Sequence, residues 1–198
     1  AWPFNGDKAD PVFRKRLEAY MMKALREAKV HTSWLSPDEV YERAMTRFID
    51  AVLDASRPNA FLASFLPFQA RVAELGIYNS LAQLMIKVTA PGIPDFYQGT
   101  ELWDLNLVDP DNRRSVDYNL RTQALASLGS CPDIADLVAN RTDGRIKMFV
   151  MTRALAARAQ WRDVYERGDY VPLTTTGASR DCLFGFARVA AGSTFAIT

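Results

Sequence analysis

The sequence has little of what a metal centre or a disulfide framework requires. Its 198 residues include two cysteines, Cys131 and Cys182, and one histidine, His31. A metal site of several histidines is therefore excluded, and two lone cysteines cannot replace them as ligands. We expect no metal site. We interpret the cysteines as small buried side chains, and their low number indicates a reduced, cytoplasmic setting.

An excess of charge of one sign is also missing. Lysine and arginine number 24 against 23 aspartates and glutamates, which leaves a net charge of +1. Binding to nucleic acid or to an anionic membrane surface would need a large or clustered basic excess. A membrane span needs about 18 apolar residues, and the longest candidate, residues 75–93, is interrupted by Asn79, Ser80, Gln83 and Lys87. We predict neither nucleic acid nor a membrane as a partner.

What is present is ordinary for a globular protein, with 48% hydrophobic and 24% charged residues. The length predicts one domain, or one domain and part of another. The chain does not begin with methionine. We therefore expect either a processed protein or a piece of a longer one.

Apolar residues spaced three and four apart predict a mainly helical chain as far as Gly168. Ser36, followed by Pro37 and Glu39, has the features of a helix N-cap, and Asn59 is a second candidate cap. Gly76 separates two strongly apolar stretches, which we expect to be two well-buried helices. The predicted helices cover residues 11–29, 37–54, 60–75, 77–89, 120–128, 132–139 and 145–160.

Strand patterns are fewer. Phe96 and Tyr97 follow a Pro-Gly turn and predict one short strand. After Gly168, three further strands are predicted, joined by glycine-containing turns, over residues 170–175, 182–188 and 194–198. This change of composition places a domain boundary near Gly168, between a helical domain over 1–168 and the beginning of a β-domain over 169–198.

The densest polar segment is 95–103, followed by a loop at 109–114 that is rich in Asp, Asn and Arg. In an α/β barrel, the loop after a strand lies at the face where active sites form. Planar hydrogen-bonding side chains and aromatic faces are the groups that bind neutral sugars. The alternative is a loop whose aspartates and arginines pair only with one another. Glu101 is expected to be a buried partner of a basic group.

The run PGIPDFYQGTE at 91–101 resembles the eighth barrel strand of the α-amylase superfamily, glycoside hydrolase family 13. The longer pattern QGTELW at 98–103, LVDPDNRR at 107–114 and VDY at 116–118 resembles the malto-oligosyltrehalose synthase family within it. Residues 23–29 with 32–34, Gly76 with 79–81, and 143–147 fit the same family. Ser115 departs from it, because the family usually has proline there.

The resemblance implies the C-terminal part of such an enzyme. We expect a mainly α chain that holds the end of a (β/α)8 barrel with its last strand, followed by the start of an antiparallel β-sandwich. The family converts the reducing-end α-1,4 linkage of malto-oligosaccharides to an α,α-1,1 linkage, in the cytoplasm and without a cofactor. Its catalytic carboxylates lie on earlier strands, so no catalytic residue is assigned here. The candidate substrate-binding residues are Asp109, Asp111, Asn112, Arg113, Tyr97 and Trp103.

Other interpretations remain open at this point. The parent protein could be an α-amylase-type hydrolase or a trehalohydrolase, or the chain could be a helical interaction domain without sugar chemistry. Ser33 and His31 lie too close in sequence near a helix end to face each other as a nucleophile and its base, so His31 is expected to cap a helix or to pack. Helices separated from their barrel would expose apolar surface, which makes self-association plausible.

Overall fold

The structure is a computed structural model that describes residues 1–4, 6, 9–190 and 192–197. The chain folds into two compact units, one of residues 1–75 with 104–116 and the other of residues 76–103 with 117–198. It is mainly helical, with a small antiparallel sheet, as the sequence predicted. No helix among the described residues is long and apolar enough to cross a membrane.

Most of the predicted helices are present among the described residues, and a helix at Arg162–Arg167 was not predicted. Short 3-10 helices lie at Asp111–Arg113, Arg141–Asp143 and Arg180–Cys182. The longer elements are α1 (Pro11–Ala28), α2 (Glu39–Val52), α3 (Ala60–Thr89), α4 (Tyr118–Leu128), α5 (Ile134–Ala139), α6 (Arg145–Gln160), α7 (Arg162–Arg167), β1 (Asp169–Pro172), β2 (Phe186–Ala190) and β3 (Ser193–Ile197).

The first unit packs α1 and α2 around an apolar cluster. The indole of Trp2 meets the rings of Phe13 and Phe65 edge-on, with centroid distances of 5.2 and 5.3 Å. Edge-to-face contacts of this kind stabilise aromatic clusters beyond the area they bury. Ile49 of α2 and Leu53, which directly follows α2, belong to the same cluster, so α1 is fixed against α2.

The predicted cap of α2 is wrong. Its N-cap is Asp38, whose Oδ1 accepts from the N–H groups of Val40 and Tyr41 at 2.9 and 3.0 Å, and Ser36 lies before the helix. The N–H of Asp38 donates to Thr32 Oγ1 at 3.0 Å, which fixes the turn at that residue. A carboxylate is also a stronger acceptor for helix N–H groups than a hydroxyl.

The predicted break at Gly76 is also wrong, because α3 runs through it without interruption. A glycine costs a helix only about 1 kcal/mol, which flanking helical turns readily offset. Asn59 does cap this helix, since its Oδ1 accepts from the N–H of Leu62 at 3.1 Å. The expected burial holds for one side only. The buried residues are Leu62, Ile77, Leu84 and Val88, whereas Phe61, Phe68, Val72, Leu75, Tyr78 and Ile86 are exposed.

The second unit is organised by arginines that donate to the ends of helices. Arg188, on β2, is 1% exposed and donates to the carbonyls of Thr89, Tyr165 and Gly168 at 3.3, 2.9 and 2.8 Å. Arg158, on α6, donates to Val88 O at 2.7 Å. Carbonyl groups at helix C-termini lack partners within the helix, and a guanidinium satisfies both their hydrogen bonds and their negative dipole end.

The sheet has the order β1-β2-β3, with both pairs antiparallel. Its strands are shifted from the prediction, because β1 ends at Pro172 and residues 180–182 form a 3-10 helix before β2 begins at Phe186. The predicted end of the last strand, Thr198, lies outside the described residues. The boundary near Gly168 stays a prediction.

No strand forms at Phe96 and Tyr97. Both the N–H and the Oγ1 of Thr100 donate to Tyr97 O, at 3.2 and 2.6 Å, and close a turn instead. A strand requires ladder hydrogen bonds to a neighbour, and the described residues place none beside this segment. The barrel and the sandwich therefore remain predictions.

The two cysteines are exposed, contrary to the prediction of buried thiols. Cys131 lies between α4 and α5, and Cys182 lies in the 3-10 helix before β2. Neither position belongs to the apolar face of a long element. The two cysteines are therefore exposed because they lie in connecting segments, although their small size and low polarity favour burial.

Candidate functional site

Residues 104–116 lie against α1 in the first unit, and Asp111 is their main anchor. Nε and Nη2 of Arg16 donate to the two carboxylate oxygens of Asp111 at 2.8 and 2.7 Å. The N–H of Leu107 donates to the same carboxylate at 2.7 Å. The side chains of Arg16 and Asp111 are 15% and 9% exposed. The hydrogen bonds from Arg16 lower the pKa of Asp111, so this carboxylate stays charged and engaged.

Asp109 is the second anchor. Lys23 Nζ donates to its backbone oxygen at 2.6 Å and to its carboxylate at 3.2 Å. The other carboxylate oxygen lies 2.5 Å from Nε of Arg113. The peptide bond between Asp109 and Pro110 is cis. The predicted pairing of aspartate with arginine in this loop is therefore present, and α1 supplies further cations.

Two candidate residues of the loop face outward. Asn112 is exposed, and its side chain has no hydrogen-bond partner among the described residues. Arg113 pairs with Asp109, yet its side chain is 71% exposed. Both lie on the 3-10 helix Asp111–Arg113. Their donor groups are therefore accessible to a ligand of this unit.

Tyr97 belongs to the second unit, where it helps to line an open cavity of about 410 Å³. Asp95, Thr100, Lys87 and Lys147 also line it. Tyr97 is 59% exposed, so the segment is not sealed in an interior. An open cavity with an aromatic ring beside hydroxyl, carboxylate and ammonium groups can bind a polar ligand.

Trp103 and Glu101 are tied into the fold of the second unit. The indole N–H of Trp103 donates to Arg141 O at 2.8 Å. Glu101 accepts from Nε of Arg121 at 3.0 Å, as expected for the partner of a basic group, but its side chain is 36% exposed, so the expected burial is only partial. These contacts hold the turn that follows Tyr97.

A second anchored carboxylate of the first unit is Glu42. It accepts from Nε and Nη2 of Arg26 at 2.8 and 2.7 Å and from the hydroxyl of Thr32 at 2.7 Å. Arg26 and Thr32 together lower the pKa of Glu42 to about 2. The guanidinium of Arg26 also lies 5.0 Å from the ring centre of Trp34.

Three carboxyl groups of the described residues have a shifted pKa. The ones with a shifted pKa, Glu42, Asp54 and Asp111, are all shifted downward by hydrogen-bond donors. Glycoside-cleaving enzymes need one carboxyl group whose pKa is raised so that it can act as an acid. Glu42, Asp54 and Asp111 therefore lack that raised pKa. No group of three or more possible metal ligands occurs among the described residues.

Comparison with known proteins gives the chain its relatives. No protein-family profile matches it. Two curated Mycobacterium tuberculosis proteins that carry the name maltooligosyl trehalose synthase, from strains CDC 1551 / Oshkosh and H37Rv, are 37% identical over 190 residues. Each alignment covers 94% of this chain and 22% of the relative. The chain is homologous to part of the maltooligosyl trehalose synthases.

Solved structures agree with that assignment. A crystal structure of maltooligosyl trehalose synthase matches with a TM-score of 0.80 at 32% identity, over 93% of this chain and 24% of the other. The maltooligosyltrehalose synthase of Arthrobacter ramosus matches with a TM-score of 0.74 at 37% identity, over 90% of this chain and 22% of the other. The family resemblance read from the sequence is confirmed. The chain spans less than a quarter of the length of these maltooligosyl trehalose synthases.

The six candidate residues divide between the two units of the chain. Asp109, Asp111, Asn112 and Arg113 share one loop of the first unit, whereas Tyr97 and Trp103 belong to the second. Sequence reasoning missed Arg16 and Lys23, which hold that loop. Their seven-residue spacing on one helix face was visible, but nothing local indicated a partner more than 80 residues away.

Proposed function

We propose that the protein to which this chain belongs converts the reducing-end α-1,4 linkage of malto-oligosaccharides to an α,α-1,1 linkage, giving maltooligosyl trehalose. The observation that carries the proposal is 37% identity along 94% of the chain to proteins of that name. The reaction is an intramolecular transfer that needs no cofactor. A cytoplasmic location is part of the proposal, and the two exposed, unpaired thiols support it.

The chain contributes the C-terminal part of that enzyme. In this proposal, residues 93–97 become the last strand of the barrel, and the sheet after Gly168 begins the β-sandwich. Two observations support it. The segment around Tyr97 has no helix and no neighbouring strand among the described residues, and α3 exposes large apolar side chains such as Phe68, at 66%. A barrel sheet would supply ladder hydrogen bonds to the segment around Tyr97 and would cover the apolar side chains of α3.

The catalytic carboxylates lie outside this chain in the proposal. The downward pKa shifts of Glu42, Asp54 and Asp111 support this, because none of these groups is suited to act as an acid. Residues 109–113 serve substrate binding in the first unit. Tyr97 and Trp103 are proposed as sugar-facing aromatic residues of the second unit.

The decisive experiment uses maltopentaose and the complete protein that contains this sequence. We expect reducing ends to disappear and a non-reducing glycosyl-trehalose to accumulate, as seen by chromatography of the products. New reducing ends or free trehalose would instead identify an α-amylase-type hydrolase or a trehalohydrolase. The chain of 198 residues, assayed alone, is expected to leave maltopentaose unchanged.

A non-catalytic interaction domain is the second candidate, and the exposed face of α3 favours it. If that face normally packs on the rest of the enzyme, the chain alone should self-associate through it. Sedimentation of the chain over a range of concentrations tests this, and Phe68→Lys should weaken the association. A complete protein that binds maltodextrin but never alters it would support the interaction domain over the synthase.

A further inference from the structure

The polar side chains of residues 104–116 fall into anchored and free groups. Asp111 is 9% exposed and accepts from Arg16 and from the N–H of Leu107. Its neighbour Asn112 is exposed and has no side-chain partner among the described residues. A loop that is fixed before it meets a ligand loses less conformational entropy on binding. This division is what a ligand-presenting loop requires.

The anchors come from one face of one helix. Arg16 and Lys23 are seven residues apart on α1, which places them two turns apart on the same side. Arg16 also donates to Leu105 O at 2.6 Å, and Lys23 holds both the carbonyl and the carboxylate of Asp109. Two points of attachment on a rigid helix fix both the place and the orientation of the loop.

The exposed side chains of Asn112 and Arg113 have the chemistry of sugar recognition, and Arg113 also pairs with Asp109. The amide of Asn112 offers two donors and one acceptor, and the guanidinium of Arg113 is a planar fork of donors. Adjacent hydroxyl groups of a glucose unit match such planar groups. The anchored carboxylates are acceptors already occupied by Arg16 and Lys23, so they have less to offer a ligand.

We propose that Arg16 and Lys23 are positioning residues for the substrate: through Asp111 and Asp109 they hold the loop so that Asn112 and Arg113 contact the malto-oligosaccharide. This inference rests on the proposed function. It divides the loop's four candidate residues into two that contact the substrate and two that place them.

A double-mutant cycle in the complete protein separates positioning from simple stabilisation. We expect Arg16→Gln to raise KM for maltopentaose about tenfold, the scale of a lost charged hydrogen bond, and Asn112→Ala to raise it comparably. Because both changes act on one contact, the double variant should be within about twofold of the worse single variant. Lys23→Gln should behave like Arg16→Gln. The matched control is Arg14→Gln on the same helix, whose ion pair is with Asp50 and not with the loop.

Several results would overturn the proposal. The first is an unchanged KM in Arg16→Gln or in Asn112→Ala. The second is a rise in KM in the control Arg14→Gln that equals the rise in Arg16→Gln. The third is a double variant whose rise in KM is the product of the rises in Arg16→Gln and Asn112→Ala. If Arg16→Gln does not fold, Arg16→Lys keeps the charge and loses the fork, and the same cycle then applies with a smaller rise. KM is followed as consumption of maltopentaose whatever the product. A hydrolytic product would therefore overturn the proposed function while the cycle still decides this inference.

Discussion

Two irregular segments of this molecule are held by cationic side chains in different ways. In the first unit, residues 104–116 are held by ion pairs, with Asp111 on Arg16 and Asp109 on Lys23. The pair of Arg16 with Asp111, a carboxyl group whose pKa Arg16 lowers, depends on an ionised carboxylate. Acid can therefore release it.

In the second unit, residues 90–103 are held mainly through backbone carbonyls. Arg158 donates to Gly92 O at 2.5 Å, Arg121 to Gly99 O at 2.5 Å, and Lys147 to Leu102 O at 3.0 Å. A peptide carbonyl does not titrate in the range where carboxylates do. The comparison teaches that the cations of the first unit hold carboxylates, whereas those of the second unit hold mainly carbonyl groups, beside one carboxylate pair between Arg121 and Glu101.

The largest effect is expected where the carbonyl-based anchoring is most buried. Arg188→Ala removes the donors to Thr89, Tyr165 and Gly168 and leaves a cavity, so the free energy of unfolding should fall by about 3–5 kcal/mol. Urea unfolding followed by circular dichroism measures this. The control is Arg162→Ala, whose exposed pair with Glu166 should contribute little to stability. An equal loss in the free energy of unfolding in Arg188→Ala and Arg162→Ala would contradict this expectation.

A smaller and more local effect is expected in the first unit. Asp111→Asn keeps the shape of the side chain but removes the charged partner of Arg16, at a cost of about 2 kcal/mol. The amide of Leu107 should then exchange faster with deuterium, whereas amides of α6 should not change. Asp50→Asn is the matched control, because its partner Arg14 does not hold the loop. Unchanged exchange at Leu107 would contradict the anchor.

Acid should loosen the first unit before the second. The pKa of Glu42 is lowered to about 2 by Arg26 and Thr32, and that of Asp111 is lowered by Arg16. A carboxyl group with a lowered folded pKa stabilises the fold above its unfolded pKa, and this contribution is lost as the pH falls through the folded pKa. We expect amide protection in α2 to decline between about pH 4.5 and pH 2, and protection in the loop to decline as Asp111 becomes protonated. Protection in α6 should persist, and Glu42→Gln should flatten the decline in α2.

The smallest expected effect is a gain in stability. Gly76→Ala should stabilise α3 by about 0.5–1 kcal/mol, because the helix is continuous and an added Cβ meets nothing within 4 Å. Thermal unfolding measures it. Gly168→Ala is the contrasting change, since its Cβ would lie 2.4 Å from Val164 O and must destabilise the fold. A loss of stability in Gly76→Ala would support the helix break that the sequence predicted.

Local signals predicted the helices well and the long-range contacts poorly. The apolar spacing of Arg145–Gln160 predicted α6 with its observed bounds, and Asn59 was identified as a cap. Such features depend on neighbours a few residues away. The strand expected at Phe96 did not form, because a strand depends on partners that no local pattern supplies.

The same division applies to the candidate site. The sequence indicated that residues 109–114 are a polar loop able to pair internally, and Arg113 does lie beside Asp109. It could not separate anchored Asp111 from exposed Asn112, since the difference arises from Arg16 on a distant helix. Glu101 was recognised as the partner of a basic group, but Arg121 could not be named as that group. Residue type predicts which interactions are possible, and tertiary packing selects among them.

The outward-facing sulfhydryls of Cys131 and Cys182 have a practical consequence. In air, such groups can cross-link two copies of the chain and imitate a non-covalent dimer. A reducing agent must therefore be present when self-association through α3 is measured. The same groups also accept maleimide dyes, which would label the second unit without any substitution.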